Sequence, residues 1–387
     1  MRGRLVASRM ASRPDGSEQR WRDLAFRIAF GLERGVDALQ ARRRRARGDA
    51  RVVPYLGFGD GRTVRLRGRV LRDRPVDPAD PGDGPFVNLA AAWRRFASAE
   101  IAGATVLARV GTGAAAVERR IVADDEGFVD GQVQLHPGAP PGRLPVRFEV
   151  LDPAPATPEP TVGEVIVAPT DAPFGVISDI DDTVLVSDAT NVAKVLARTL
   201  LQNVHERLAF PGVGELYRSL AAGGVPFFYV SSSPWNLHGP LTRFLELHGL
   251  PSGPLLLRDW GLDDAAPRGH AGHKLTAIAS VLQALPDLRF LLIGDSGQED
   301  PEIYAHLVEE RPERVLGVLI RDVAGPTRDA AVDLLARASE AHGVPFHRVA
   351  DSTEAARVCR DHGWTRPAGP AASTDEAPPT DGAAGHG

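Results

Sequence analysis

The spacing of apolar positions changes along the chain, and each change predicts a different kind of element. From Ser17 to Arg47, Trp21, Leu24, Ala25, Ile28, Leu32, Val36 and Leu39 recur every three or four residues, and the segment ends in Arg42, Arg43, Arg44, Arg45 and Arg47. This predicts one amphipathic, basic helix within 1–50. Between Val52 and Val150 the period drops to two: Val64, Leu66 and Val70 alternate with Arg65, Arg67 and Arg69, and Val146, Phe148 and Val150 with Arg147 and Glu149. Alternation broken by Gly, Pro and Asp turns predicts short strands and a small β-sandwich over 51–151. The prolines of Asp152-Pro-Ala-Pro-Ala-Thr-Pro-Glu-Pro160 suit neither regular element and predict a stiff linker over 152–172. After Thr170, apolar runs at Phe174 to Ser178, Val225 to Val230, Pro254 to Leu257, Arg289 to Gly294 and Val315 to Ile320 are separated by helical patterns. That order predicts an α/β domain over 173–365, a doubly wound parallel sheet with helices on both faces. The tail, 366–387, is Ala, Pro, Gly, Thr and Asp and is expected to be disordered.

Composition narrows the function classes. Against 50 acidic residues stand 45 basic ones, a formal charge of −5, so no chain-wide basic field exists and nucleic acid is not an expected partner. A single cysteine, Cys359, excludes disulfide frameworks, thiolate zinc sites and iron–sulfur clusters, and it reads as a passive small hydrophobe. No apolar run reaches the roughly 18 residues of a membrane span, and Met1 to Asp15 lacks the apolar stretch of a secretory signal. The expected location is cytoplasmic, with the N-terminal basic helix as the device for peripheral contact with a membrane. Packing of that helix on the β-domain is the competing reading.

Candidate chemistry sits at the carboxyl ends of the apolar runs, where open α/β sheets place ligands. The first run ends Ser178-Asp-Ile-Asp-Asp-Thr183, and alternation puts Asp179, Asp181 and Thr183 on one side. Neighbouring carboxylates suit a magnesium ion, whereas a lone Asp-x-Asp is also an ordinary helix-capping turn. The second run breaks into Ser231-Ser232-Ser233-Pro234-Trp235, where hydroxyls and free amides suit a phosphate oxygen or a helix cap. Lys194 and Lys274 are the chain's two lysines, and Lys274 follows Gly272-His273 at an expected helix start, a place for a compact ammonium. The fourth run ends Gly294-Asp-Ser-Gly-Gln-Glu-Asp300, offering Asp295 as a further hard oxygen donor.

In this order the four motifs resemble those of the haloacid dehalogenase superfamily of phosphotransferases. Gly175 to Val184, Tyr229 to Trp235 and Gly294 to Asp300 look like the magnesium-dependent phosphatidate phosphatases of the fungal actin-patch type and their bacterial relatives. The upstream Pro54-Tyr-Leu-Gly-Phe-Gly59 and Gly68-Arg-Val-Leu71 are similar to that family's β-domain. The resemblance implies hydrolysis through an aspartyl phosphate. Asp179 would be the nucleophile and Asp181 the acid and then the base, while Thr183 orients the loop. Ser231, Ser232 and Lys274 would hold the phosphoryl group, and Mg²⁺ would be bound by Asp179, the backbone of Asp181, Asp295 and, behind them, Asp300. Asp182 is expected to face away in a structural role, and Trp235 to pack on the helix it opens. His273 reads as a helix-end residue, and Arg321 and Asp322 as an ion pair. Neither the gap from Val184 to Pro211 nor that from Pro234 to His273 holds a full cap domain, so the site is expected to be open, which favours a lipid phosphate. The alternatives are a phosphatase for a soluble metabolite or phosphoprotein, and an inactive phosphatase-fold binding module.

Overall fold

The structure, a computed structural model, describes residues 50–72, 100–155, 159–181, 183–184, 210–258 and 270–365. The helix expected within 1–50, the tail 366–387, Asp182 and much of both presumed cap positions (185–209 and 259–269) lie outside them.

Seven strands make the first sheet: β1 (Ala50–Gly59), β2 (Thr63–Arg72), β3 (Thr105–Val110), β4 (Val117–Val122), β5 (Phe128–Gln134), β6 (Gly142–Asp152) and β7 (Thr161–Val167). Their order is β4-β3-β6-β7-β1-β2-β5, antiparallel except for β1 beside β7. Hydrogen bonding runs unbroken through all seven strands, which form one sheet and not the two packed sheets of the expected small sandwich. Only residues 123–127 join the edge strands β4 and β5, which curls the sheet until Ile121 packs on Gly131. Val64, Leu66, Val70, Val106, Phe148 and Val165 fill the inside. β7 corrects the expected linker: proline density ends at Pro160, and Thr161 onward can extend and donate ladder hydrogen bonds.

The second sheet has β8 (Gly175–Asp179), β9 (Phe227–Pro234), β10 (Leu255–Arg258), β11 (Phe290–Asp295), β12 (Val315–Arg321) and β13 (Phe346–Val349), all parallel, in the order β10-β9-β8-β11-β12-β13. The helices are α1 (Val213–Ala221), α2 (His238–Leu247), α3 (His270–Ala284), α4 (Asp300–Glu310), α5 (Pro326–Ala341) and α6 (Ser352–Asp361). Alternate strand residues divide between two cores. Val176, Phe227, Tyr229 and Leu291 pack with α1, α2 and α6, and Ile177, Phe228, Val230 and Leu292 with α3, α4 and α5. Burial on both faces explains why these strands read as continuous apolar runs. The chain goes outward from β8 through β9 to β10, then returns to β11 on the other side of β8. Such a reversal opens a crevice at the carboxyl ends of the strands. No helix among the described residues is long and apolar enough to cross a membrane.

The two sheets meet through aromatic rings: Phe58 of β1 sits edge-on to Phe228 of β9 at 5.3 Å, and Tyr55 stacks on Trp235 at 4.6 Å. Trp235 therefore packs on the β-domain as well as on His238 of the helix it precedes, which corrects the expectation of helix packing alone.

Candidate active site

β8 is buried along its whole length and delivers Asp179, itself fully buried, to the crevice. Behind it, the Ser178 hydroxyl donates to the Asp179 backbone oxygen at 2.7 Å and lies 2.7 Å from the Tyr217 hydroxyl. Oδ1 of Asp179 stands 2.8 Å from Nζ of Lys274, while Oδ2 accepts no hydrogen bond among the described residues. Two residues on, Oδ2 of Asp181 accepts from the Ser231 hydroxyl at 2.7 Å, and the amide of Gln298 donates to its backbone oxygen at 3.3 Å. Asp179, Asp181 and Thr183 are all buried, and the Thr183 hydroxyl has no hydrogen-bond partner among the described residues.

β11 supplies the opposite wall. Asp295 Oδ1 accepts the amides of Gly297 at 2.6 Å and Gln298 at 3.0 Å, a turn that fixes its carboxylate. Asp300 opens α4. Its Oδ2 accepts the Asp295 amide at 3.3 Å, and its Oδ1 accepts from Lys274 Nζ at 2.5 Å. Gly294 permits that approach, because a Cβ there would lie 2.6 Å from Asp300 Oδ2 and 2.7 Å from its Cβ. One carboxylate oxygen from each of Asp179, Asp295 and Asp300 falls within 4.8 Å of the others.

Four buried carboxyls, Asp179, Asp181, Asp295 and Asp300, thus face the buried ammonium of Lys274, the one lysine among the described residues. Burial pushes the Asp179 carboxyl well above the usual range; Lys274 opposes this, while Asp300, Asp181 and Asp295 add to it. Burial pulls Lys274 down, but the Asp179 and Asp300 carboxylates outweigh it and hold the ammonium well above its ordinary value. His273, in the first turn of α3 as expected of a helix-end residue, is lowered to about 4 by burial, with Arg258 adding, so it is neutral at physiological pH.

Asp179, Asp181, Ser231, Lys274, Asp295 and Asp300 are therefore brought to one place by β8, β9, α3, β11 and α4. Ser232 is not bonded into this cluster; its hydroxyl is buried with no hydrogen-bond partner among the described residues. Lys274 lies in the second turn of α3, which starts at His270 rather than beside the lysine. The expected Arg321–Asp322 pair does not form: Asp322 pairs with Arg348, and Arg321 lies over the Phe210 ring at 3.4 Å. β12 ends at Arg321, and Asp322 begins the loop that follows, its amide donating to the Val349 backbone oxygen at 2.8 Å. Cys359 is buried on α6 with its thiol pushed up to about 12 by burial, an inert group. Sequence reasoning passed over Ser233, 3.5 Å from Asp181 Oδ2, and Gln298, although both lie inside the motifs already marked.

Comparison with known proteins places the same segment. An uncharacterised protein of Schizosaccharomyces pombe is 31% identical over 152 residues, 39% of this chain and 25% of that protein. Phosphatidate phosphatase APP1 of Saccharomyces cerevisiae is 30% identical over 151 residues, 38% of this chain and 26% of that protein. The chain thus spans about a quarter of the length of the curated relatives it matches. Among solved structures, a chain in the structure of the Pnkp1/Rnl/Hen1 complex aligns at 15% identity over 43% of this chain and 55% of its own, with a TM-score of 0.30, too slight to carry an argument. Residues 174–322, which hold every residue of the cluster, match the family model described as Phosphatidate phosphatase APP1, catalytic domain, and in that segment the chain is similar to a phosphatidate phosphatase-like hydrolase.

Proposed function

We propose that the chain is a magnesium-dependent phosphomonoesterase of the haloacid dehalogenase type, with phosphatidate as its substrate and diacylglycerol and phosphate as its products. The carrying observation is Asp179, a buried strand-end carboxylate whose Oδ1 is engaged by Lys274 while Oδ2 accepts no hydrogen bond among the described residues. In this reading Oδ2 attacks phosphorus, and the bond to the ester oxygen breaks as Asp181 gives that oxygen its proton. Asp181 then takes a proton from the water that attacks the aspartyl phosphate, releasing phosphate and restoring Asp179. Ser231 and Gln298 hold Asp181 in place through its carboxylate and backbone, and Lys274 opposes the phosphate's charge.

The donor set fits Mg²⁺. Three hard carboxylates converge, and the buried negative charge exceeds what one ammonium can offset. Asp179, Asp295 and Asp300 would hold the ion, which supplies neutralisation of phosphoryl oxygens. The yeast relative named for phosphatidate supports the choice of substrate. Cytoplasmic placement, with the basic segment within 1–50 at an anionic lipid surface, belongs to the same reading and rests on sequence.

A phosphate-release panel tests it: phosphatidate in mixed micelles, lysophosphatidate, sugar phosphates and phosphopeptides, each with and without Mg²⁺, for the wild type and Asp179→Asn. The expected result is metal-dependent release from phosphatidate and none from the folded variant. Faster release from a soluble ester would move the substrate class. Inertness toward all four would leave a binding module.

A further inference from the structure

β2 turns Arg65, Arg67 and Arg69 to the side opposite its buried Val64 and Leu66, and their surroundings differ. Arg65 meets Asp130 twice, at 2.8 and 2.6 Å. Arg69 meets Glu100 at 2.7 Å, the Glu126 backbone oxygen at 3.0 Å and the Glu126 carboxylate at 3.5 Å. Arg67, between them, makes no ion pair and donates no hydrogen bond among the described residues. Its guanidinium lies over Trp235, 4.6 Å from the ring centre. Arg67 is half-buried, and burial pulls its charged end down to about 10, with the Asp130 carboxylate opposing.

A cation taken out of water without a counter-ion is destabilising, and stacking on an indole offsets only part of that. Carboxylates that neutralise two neighbours and omit the third leave the third to an anion from outside. Its position says which anion. Trp235 follows Ser233-Pro234 at the end of β9, where the Ser231 and Ser233 hydroxyls lie 2.7 and 3.5 Å from Asp181 Oδ2, so the ring under Arg67 borders the catalytic cluster; Arg67 also helps to lower His273, the neighbour of Lys274. The Ser232 hydroxyl and His273 Nε2 are buried there with no hydrogen-bond partner among the described residues.

We infer that Arg67 is the β-domain's contribution to the active site, an anion-binding residue that meets the phosphate-monoester group of the substrate beside Ser232 and His273. The two domains then form one site, and the β-domain shapes affinity. The substrate class rests on the phosphomonoesterase reading; the unpaired guanidinium over Trp235 does not.

Inorganic phosphate is the probe, titrated calorimetrically on the full chain, because its binding can be measured whether or not any ester is turned over. Arg67→Met keeps an apolar stem on Trp235 and removes the charge, whereas Arg67→Lys keeps the charge without the planar face. In Arg67→Met, phosphate affinity should fall and KM rise by about tenfold or more, as for loss of a hydrogen bond to a charged group. The melting temperature should hold or rise, because a half-buried charge without an ion pair has gone, and Arg67→Lys should recover part of the affinity. Unchanged phosphate affinity in Arg67→Met overturns the inference, as does a wild type that binds no phosphate. A lowered melting temperature in both variants with equal loss of binding overturns it too, making Arg67 a packing residue. A wild type that binds phosphate yet hydrolyses no ester refutes the phosphomonoesterase reading alone, and the titration still decides on Arg67.

Discussion

Lys274 reaches Asp179 at 2.8 Å and Asp300 at 2.5 Å while almost wholly enclosed, so its site is sized for a single ammonium. A guanidinium is wider and planar, and would have to push one carboxylate out of place. Lys274→Arg is therefore expected to lose about 100- to 1,000-fold in kcat, as when a preorganised donor is removed from an active site. Steady-state kinetics check this, and wild-type turnover would make Lys274 a structural counter-ion only. Such residues were legible in sequence because strand ends with Asp, Ser and Gly-Asp are short local signals. What sequence could not give was pairing: Ser231 bonds Asp181, and Lys274 bridges two carboxylates that lie 121 positions apart (300 − 179). Those contacts depend on the strand order, which no local pattern carries.

At the scale of elements, β11 and α4 are joined by a turn whose closeness depends on Gly294. A methyl there would meet the stem of Asp300 as well as its carboxylate, and the stem cannot swing aside. Gly294→Ala is expected to cost about 1–3 kcal/mol in stability through overpacking. If Mg²⁺ sits on these carboxylates as proposed, the variant should also show a smaller rise in melting temperature on adding the ion, since Asp300 is displaced from Asp179 and Asp295. Chemical denaturation and melting with and without the ion check both. The buried strands β8, β9, β11 and β12 were readable because parallel strands covered on both faces become unbroken apolar runs. β13 was not: Phe346-His-Arg-Val349 is four residues, and the two in the middle are polar. β7 was obscured by the prolines before it, and the alternation in β2 identified its core face without revealing that Arg67 meets Trp235.

For the molecule as a whole, the meeting of the two sheets carries a pH dependence. His238 lies against Tyr55 with the ring centres 4.4 Å apart and the planes tilted by 38°, and burial lowers it to about 4, with Arg67 adding; His273 is lowered to about 4 as well. In the unfolded chain both titrate near 6.5. Above about 6.5 the stabilisation is fully present; between 6.5 and 4 the unfolded chain binds more protons, so stability falls as pH falls. The buried Asp179 carboxyl, pushed upward, acts in the opposite direction, so the clean comparison is between variants. His238→Phe keeps a ring against Tyr55 and should show a shallower loss of melting temperature from pH 7 to pH 4 than the wild type. Parallel curves would remove His238 from this account.

Asp179 as nucleophile is the central claim, and trapping the acyl phosphate tests it most directly. Turnover of phosphatidate is stopped midway with borohydride, which reduces an aspartyl phosphate to homoserine, and the peptide spanning Gly175 to Val184 is weighed by mass spectrometry. The account predicts homoserine at position 179, only with substrate and Mg²⁺ present, and none in Asp179→Asn. Turnover that leaves residue 179 an unmodified aspartate would contradict it.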